Sequence, residues 1–279
     1  MNTSAIIATS ILSLLSLAAI VSWLLAKRRT QQQYAGLAAL KQLKNLVVAI
    51  QKHRGLSCAF LNGDQQQIHA LEQQQREVAK SQQLLADNSF VASQSRWDSF
   101  LQHWPRLQQS WKENNLENNI AQHSLMIKNL LFLSQDLAGF YCLTTLSKQH
   151  KNIDFLWHEL LETAESIGQV RALGTGLAAA KKSSSVERIR LAFLHNKISQ
   201  IDAKSLNHFA NSFVPDDPAY QPLLEHLLTT IDEELIKKPN PSISVNEYFK
   251  QASKVLDGLY QLFDAGIAHL EAQQHAKHE

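Results

Sequence analysis

The sequence predicts an all-α protein: an N-terminal transmembrane helix followed by a large up-and-down helical bundle domain, built as two packed bundles. Three observations predict it. Glycine (9) and proline (6) are scarce among 279 residues, and Leu, Ala, Gln, Lys, Glu and Ser dominate, with no strand-rich stretch. Residues 5–26 carry no charge. From Thr30 onward, apolar residues recur at steps of three and four.

The uncharged segment, Ala5 to Ala26, is long enough to cross a bilayer as a helix. A cleaved signal peptide is the competing reading, but no Lys or Arg stands in a leading basic region, and the apolar run is longer than a usual signal core. Lys27, Arg28 and Arg29 follow the span directly. Positive flanks stay inside, so the expectation is a single-pass protein of the inner (cytoplasmic) membrane with a cytoplasmic body. Trp23 suits an interfacial anchor.

The body reads as helices in series. The first runs over 31–61 and stops at Asn62-Gly63-Asp64, a turn signal. The second covers 65–86 and ends at Asp87-Asn88. The third covers 90–112, with Pro105 predicting a kink or early stop. The fourth covers 116–148. The fifth starts at Asn152 or Asp154 and runs to Ala180. Ser185 is the expected cap of the sixth, over 186–213, which Pro215-Asp216-Asp217-Pro218 breaks. The seventh covers 219–237, up to the loop Lys238-Pro239-Asn240-Pro241. Ser244 caps the last, which starts at Val245. Short joints between long helices favour bundles, and eight helices exceed one four-helix bundle. No break marks a linker, so 1–29 is read as the anchor and 30–279 as one domain. The Gln tracts at 31–33, 65–67 and 73–75 read as solvated faces.

Several function classes find no support. A net charge of +2 gives no basic stripe for nucleic acid. Among twelve histidines there is no HExxH, and no Glu stands three residues before a His; His275 and His278 lie in the tail. No GxSxG or phosphate loop occurs, and Gly168, Gly174 and Gly176 read as sites of close helix approach. The chain reads as no enzyme, with no metal and no cofactor. Cys58 and Cys142 read as buried free thiols.

Two arginines stand where apolar residues are expected. Leu40, Leu43, Val47, Ile50, Arg54, Ser57 and Leu61 alternate steps of three and four, the spacing of a buried seam. Leu160, Ala164, Ile167, Arg171, Gly174 and Ala178 do the same. A guanidinium stays charged, so each needs a partner. One solution is a buried carboxylate such as Glu165 or Asp136. The other is a shared pocket for a small planar oxyanion, gripped by guanidinium forks, with Gln51 and Gln169 as further donors. Arg190 is a weaker third case, on one face with Leu194, Ile198 and Ile201.

The segments carrying these residues, 46–57, 164–174 and 186–191, together with 244–249 and 257–259, resemble the nitrate- and nitrite-sensing (NIT) domain family over about residues 35–270. The resemblance implies two packed helical bundles and a nitrate or nitrite ligand held by arginines. It also implies signalling by helix shifts to an output module. Carried over by motif, Arg54 and Arg171 are the ligand-binding positions, His53 a lesser one and Arg190 a further one. No arginine follows Arg190, so the last helices add none to a four-arginine cluster. No output unit follows the domain, which leaves a separate output protein as the expected partner. Homodimerisation through the first helix, continuous with the anchor, is a further expectation. The alternative is a membrane-tethered helical scaffold that has lost anion binding.

Overall fold

The fold is described here from a computed structural model, for residues 3–148, 153–201, 206–207, 211 and 220–276. Nine α-helices are delimited among the described residues, with no strand among them.

Helix α1 (Thr3–Leu61) is a single uninterrupted element that holds both the apolar segment and the first arginine seam. At 1.5 Å per residue it extends about 90 Å. Residues 11–29 are exposed on every side, whereas one face is buried from Gln33 onward. By length and composition the N-terminal part is apolar enough to cross a membrane. The helix ends where expected, at a turn in which Gly63 takes φ +104°, a conformation that glycine adopts without side-chain strain.

A 3₁₀ turn (Gln65–Gln67) leads into α2 (Ile68–Ala86). The expected third helix is divided. Asn88 caps a single turn, α3 (Ser89–Ala92), by accepting from the Val91 amide at 3.0 Å. The longer α4 (Ser95–Ser110) starts after Ser93-Gln94. Pro105 lies within α4 and does not end it. It faces solvent, where water can satisfy the carbonyl it leaves unpaired, and burial of Trp97, Phe100, Trp104 and Leu107 holds the helix in place.

Helix α5 (Leu116–Phe140) is shorter than the sequence predicts. Cys142 takes a left-handed conformation (φ +53°), and the chain continues in 3₁₀ turns to Lys148. Cys142 is therefore exposed at a helix end and not buried in a helix face, while Cys58 is buried; both are free thiols. Gln33 also departs from expectation. It is buried and donates to Thr145 Oγ1 at 3.1 Å and to the Cys142 carbonyl at 3.3 Å.

A π-helical stretch (Leu156–Leu160) opens into α6 (Leu161–Ala180). The cap of α7 (Ser185–Ser199) is Ser184, one residue before the expected Ser185. Glu187 stands three residues on. Its amide donates to Ser184 Oγ at 3.2 Å, and its carboxylate accepts from the Ser184 amide at 2.7 Å. Helix α7 ends at Ser199, with Gln200 as its C-terminal cap, and does not run on to the expected Phe213. The Asn152 cap and the Pro215–Pro218 break lie outside the described residues. Helix α8 (Tyr220–Thr230) continues as a π-helical stretch (Ile231–Ile236). Helix α9 (Val245–Ala276) starts at Ser244, whose Oγ accepts from the Glu247 amide at 3.2 Å.

Helix α1 packs against α2 and α5, and α4 against α5. In the second half, α6 packs against α7 and α9, and α8 against α9. Helix α1 also touches α6 and α9, and α5 touches α6, so one apolar core runs through both halves. The long first helix is common to the two bundles, and the arginine seams lie where they join.

Candidate functional site

Both seams are buried as their spacing predicts: Leu40, Leu43, Val47 and Ile50 on α1, and Leu160 at the end of the π-helical stretch with Ala164 and Ile167 on α6. Their arginines are buried too, with 1% of Arg54 and 8% of Arg171 exposed. The two have different surroundings.

Arg54 is paired with a carboxylate. Its Nη1 donates to Glu165 Oε1 at 2.6 Å and its Nη2 to Glu165 Oε2 at 3.1 Å, a two-pronged ion pair between α1 and α6. Nη1 also donates to Ser124 Oγ on α5 at 2.9 Å. Gln51 Nε2 reaches Glu165 Oε2, and Gln169 Nε2 reaches Oε1, each at 2.8 Å. Four hydrogen bonds from Arg54, Gln51 and Gln169 thus converge on one planar, two-oxygen anion, and that anion is Glu165. The other expected carboxylate, Asp136, pairs on the surface with Arg96 at 3.1 Å. Glycine permits the approach: a Cβ at Gly168 would lie 2.8 Å from Arg54 Nη2 and 3.3 Å from Gln51 Nε2. The Arg54 Nε–H is buried with no partner among the described residues.

Arg171 has no such carboxylate. Its Nη1 donates to Ser253 Oγ on α9 at 3.1 Å, and its guanidinium lies 5.3 Å from the Phe249 ring centre. It makes no ion pair among the described residues. Burial disfavours its charged form, and the like charge of Arg54 adds to this; Tyr260, Asp257 and Glu165 act the other way. Arg171 lines a cavity of about 320 Å³ between α1, α6 and α9, together with Gln51, Lys52, Asp257 and Tyr260. Lys44 and Asp264 also line it, and the Lys44 charge is neutralised by Asp264 at 2.8 Å. The Tyr260 hydroxyl donates to Gln51 Oε1 at 2.6 Å, and burial, then the charge of Glu165, raise its pKa so that it stays a donor. Gln51 therefore touches the carboxylate with one end of its amide and faces the Arg171 cavity beside Tyr260. Across the cluster, two buried guanidinium charges meet one buried carboxylate.

His53 is buried but belongs to another arrangement. His123 Nδ1 lies 2.7 Å from the Asn119 carbonyl, which can only accept, so His123 Nε2 accepts from His53 Nδ1–H at 2.9 Å. His53 Nε2 then accepts from Gln75 Nε2 at 3.3 Å, and the Trp104 and Trp111 rings pack edge-on against it. Burial lowers the His53 pKa to about 4. A neutral ring directed away from Arg54 is a poor anion ligand. Arg190 is half-buried on α7 and does not line the Arg171 cavity.

The structure thus brings together Gln51, Arg54, Gln169 and Arg171 and leaves out His53 and Arg190. Sequence reasoning missed Ser124, Ser253, Tyr260 and Lys52. One signal was available for part of this: Lys44, Val48, Gln51 and Lys52 run at helical spacing beside the apolar seam, the mark of a second stripe facing something polar. Among the described residues no group of three or more His, Cys, Asp or Glu forms a metal-binding cluster.

Among solved structures, that of the NasR transcription antiterminator is similar, with 18% identity and a TM-score of 0.56; 92% of this chain and 75% of that one are covered. At that identity the likeness speaks for the fold. No curated protein is matched. The family described as nitrate and nitrite sensing matches residues 45–271, from the Arg54 segment of α1 into the last turns of α9. This range takes in both arginine seams, and the chain belongs to the nitrate- and nitrite-sensing (NIT) family.

Proposed function

We propose that this protein is a membrane-anchored sensor of nitrate or nitrite that signals to a separate output protein. Residues 1–29 form the anchor, and 30–279 form the sensing body on the cytoplasmic side. The anion is held at the junction of α1, α6 and α9 by Arg171, with Arg54, Gln51 and Gln169 as the neighbouring donors. The observation that carries this reading is Arg171: a buried guanidinium with no carboxylate partner, facing a cavity. An unpaired buried charge is costly, and a small anion would offset it. Family membership and the NasR-like fold support the same reading. Nitrate suits the geometry because its planar oxygens accept from guanidinium and amide donors alike.

The test is the melting temperature of the detergent-solubilised full chain in nitrate, nitrite and chloride at matched ionic strength. At about 100 times its Kd, a ligand stabilises the folded state by about 2.7 kcal/mol, which is several degrees for a protein of this size. Arg171→Ala is expected to abolish the shift. Identical melting curves in all three salts would overturn the reading.

The Arg54–Glu165 pair favours a second reading, a membrane-tethered interaction protein that has lost anion binding. In it Arg54 is a structural charge with its own internal partner. This reading predicts no distinction among the three salts.

A further inference from the structure

We infer that Glu165 is the resident occupant of the anion site: an intramolecular carboxylate that an external anion must displace to reach Arg54. This rests on the sensing reading above and deepens it. Glu165 presents what the ligand would present, a negative charge on two coplanar oxygens. Each oxygen takes one prong of the Arg54 fork and one glutamine amide. Gly168 leaves out the side chain that would hold the fork back. Burial of the carboxylate excludes water as a competitor for these donors.

The arrangement does not satisfy Arg54 in full, since its Nε–H has no partner among the described residues. Entry is provided for as well. Gln51 lines the Arg171 cavity and holds Glu165 Oε2, so an anion arriving beside Arg171 stands one side chain away from the carboxylate. Like charges repel, and the anion would weaken the hold of the site on Glu165. Glu165 thereby sets the concentration at which the site responds. It also selects for a planar oxyanion with two oxygens on one edge, such as nitrite, nitrate or formate, over a spherical halide. Displacement breaks the ion pair that ties α6 to α1, the helix that runs on into the apolar segment.

The test compares full-length wild type, Glu165→Ala and Glu165→Gln in detergent, melted across titrations of sodium nitrite, nitrate, formate and chloride at constant ionic strength. Glu165→Ala should melt lower than wild type in chloride, because Arg54 loses its counter-charge. The three planar anions should restore its stability, with midpoint concentrations about tenfold or more below those of wild type. Glu165→Gln keeps the shape without the charge, so it tests the same point if the alanine variant does not fold; its midpoints should fall as well. Midpoints unchanged in both variants, or equal rescue by chloride, would overturn the inference. If wild type responds through Arg171 while neither Glu165 variant alters the midpoint, sensing stands and the role of Glu165 falls. Rescue of Glu165→Ala with no wild-type response would support the occupant role and sink the sensing reading.

Discussion

At the scale of single residues, position 53 shows how one helical step changes the role of a side chain. Arg54 faces α6 and a carboxylate, whereas His53 faces Trp104, Trp111 and His123 in the first bundle. Both histidines are kept neutral, mainly by burial. The sign of the linkage follows. Unfolded histidine titrates near 6.5, and folded His53 near 4, so between these values the unfolded chain binds more protons. Stability from His53 is complete above about pH 6.5 and is lost as pH falls toward 4, at up to about 1.4 kcal/mol per pH unit. Denaturant midpoints measured from pH 7.5 to 4.5 should fall more gently in His53→Gln, whose amide can still donate to His123, than in wild type. Parallel curves would show that His53 does not titrate on unfolding. The sequence could not separate the two roles. A one-residue offset places neighbours about 100° apart on a helix, and only the packing partners say which direction leads to an anion. Glu165 was legible as a partner for an arginine. That it gathers four hydrogen bonds was not, because three of them join α6 to α1.

At the scale of elements, periodicity located the long helices, and capping chemistry decided where they end. Asn62-Gly63-Asp64 and Ser244 were legible because turn and cap residues act locally. Position 142 was not, since nothing in its neighbours marks a cysteine for a left-handed conformation. Nor was the break at Ser93-Gln94, where polar residues suit a loop and a helix surface equally well. The glycines of α6 divide in a similar way. Gly176 has only a distant neighbour, Leu116, and no steric need to be glycine. Gly174 lies under the buried Tyr248 ring of α9, which a Cβ would overlap, and the Tyr248 hydroxyl donates to the Val170 carbonyl at 2.7 Å. Gly174→Ala gains about 1 kcal/mol of helix propensity but forces α9 away from α6, and overpacking of this kind costs about 1–3 kcal/mol. The expected result is a lower denaturant midpoint and, on the proposed sensing reading, a weaker nitrate-induced shift, since Ser253 and Phe249 on α9 contact Arg171. Gly176→Ala, without the clash, should be neutral or stabilising. If the two variants behave alike, close approach at Gly174 is not what fixes the helix pair.

At the scale of the whole molecule, the unbroken course of α1 joins the candidate site to the apolar segment. From Ala26 to Arg54 the helix advances 28 residue steps, about 42 Å at 1.5 Å per residue. Tyr34 and Lys44 tie its middle to α9, through the Glu271 carbonyl at 2.7 Å and Asp264 at 2.8 Å. On the proposed sensing reading, a rod held in this way passes a shift at Arg54 toward the membrane, and the side of the membrane that holds Arg54 decides which pool of anion is sensed. Lys27, Arg28 and Arg29 follow the apolar run on its body side, and cationic flanks are retained in the cytoplasm. The body should therefore resist protease added to intact spheroplasts and become sensitive once they are lysed. Replacing the three cations by glutamine and placing lysines at Thr3 and Ser4 reverses the flank charges, and should deliver the body of at least a fraction of chains to the outside. Digestion of the wild-type body in intact spheroplasts would put Arg171 on the outer face. The protein would then report on anion outside the cell, and its output partner would have to be reached through the N-terminal end of α1.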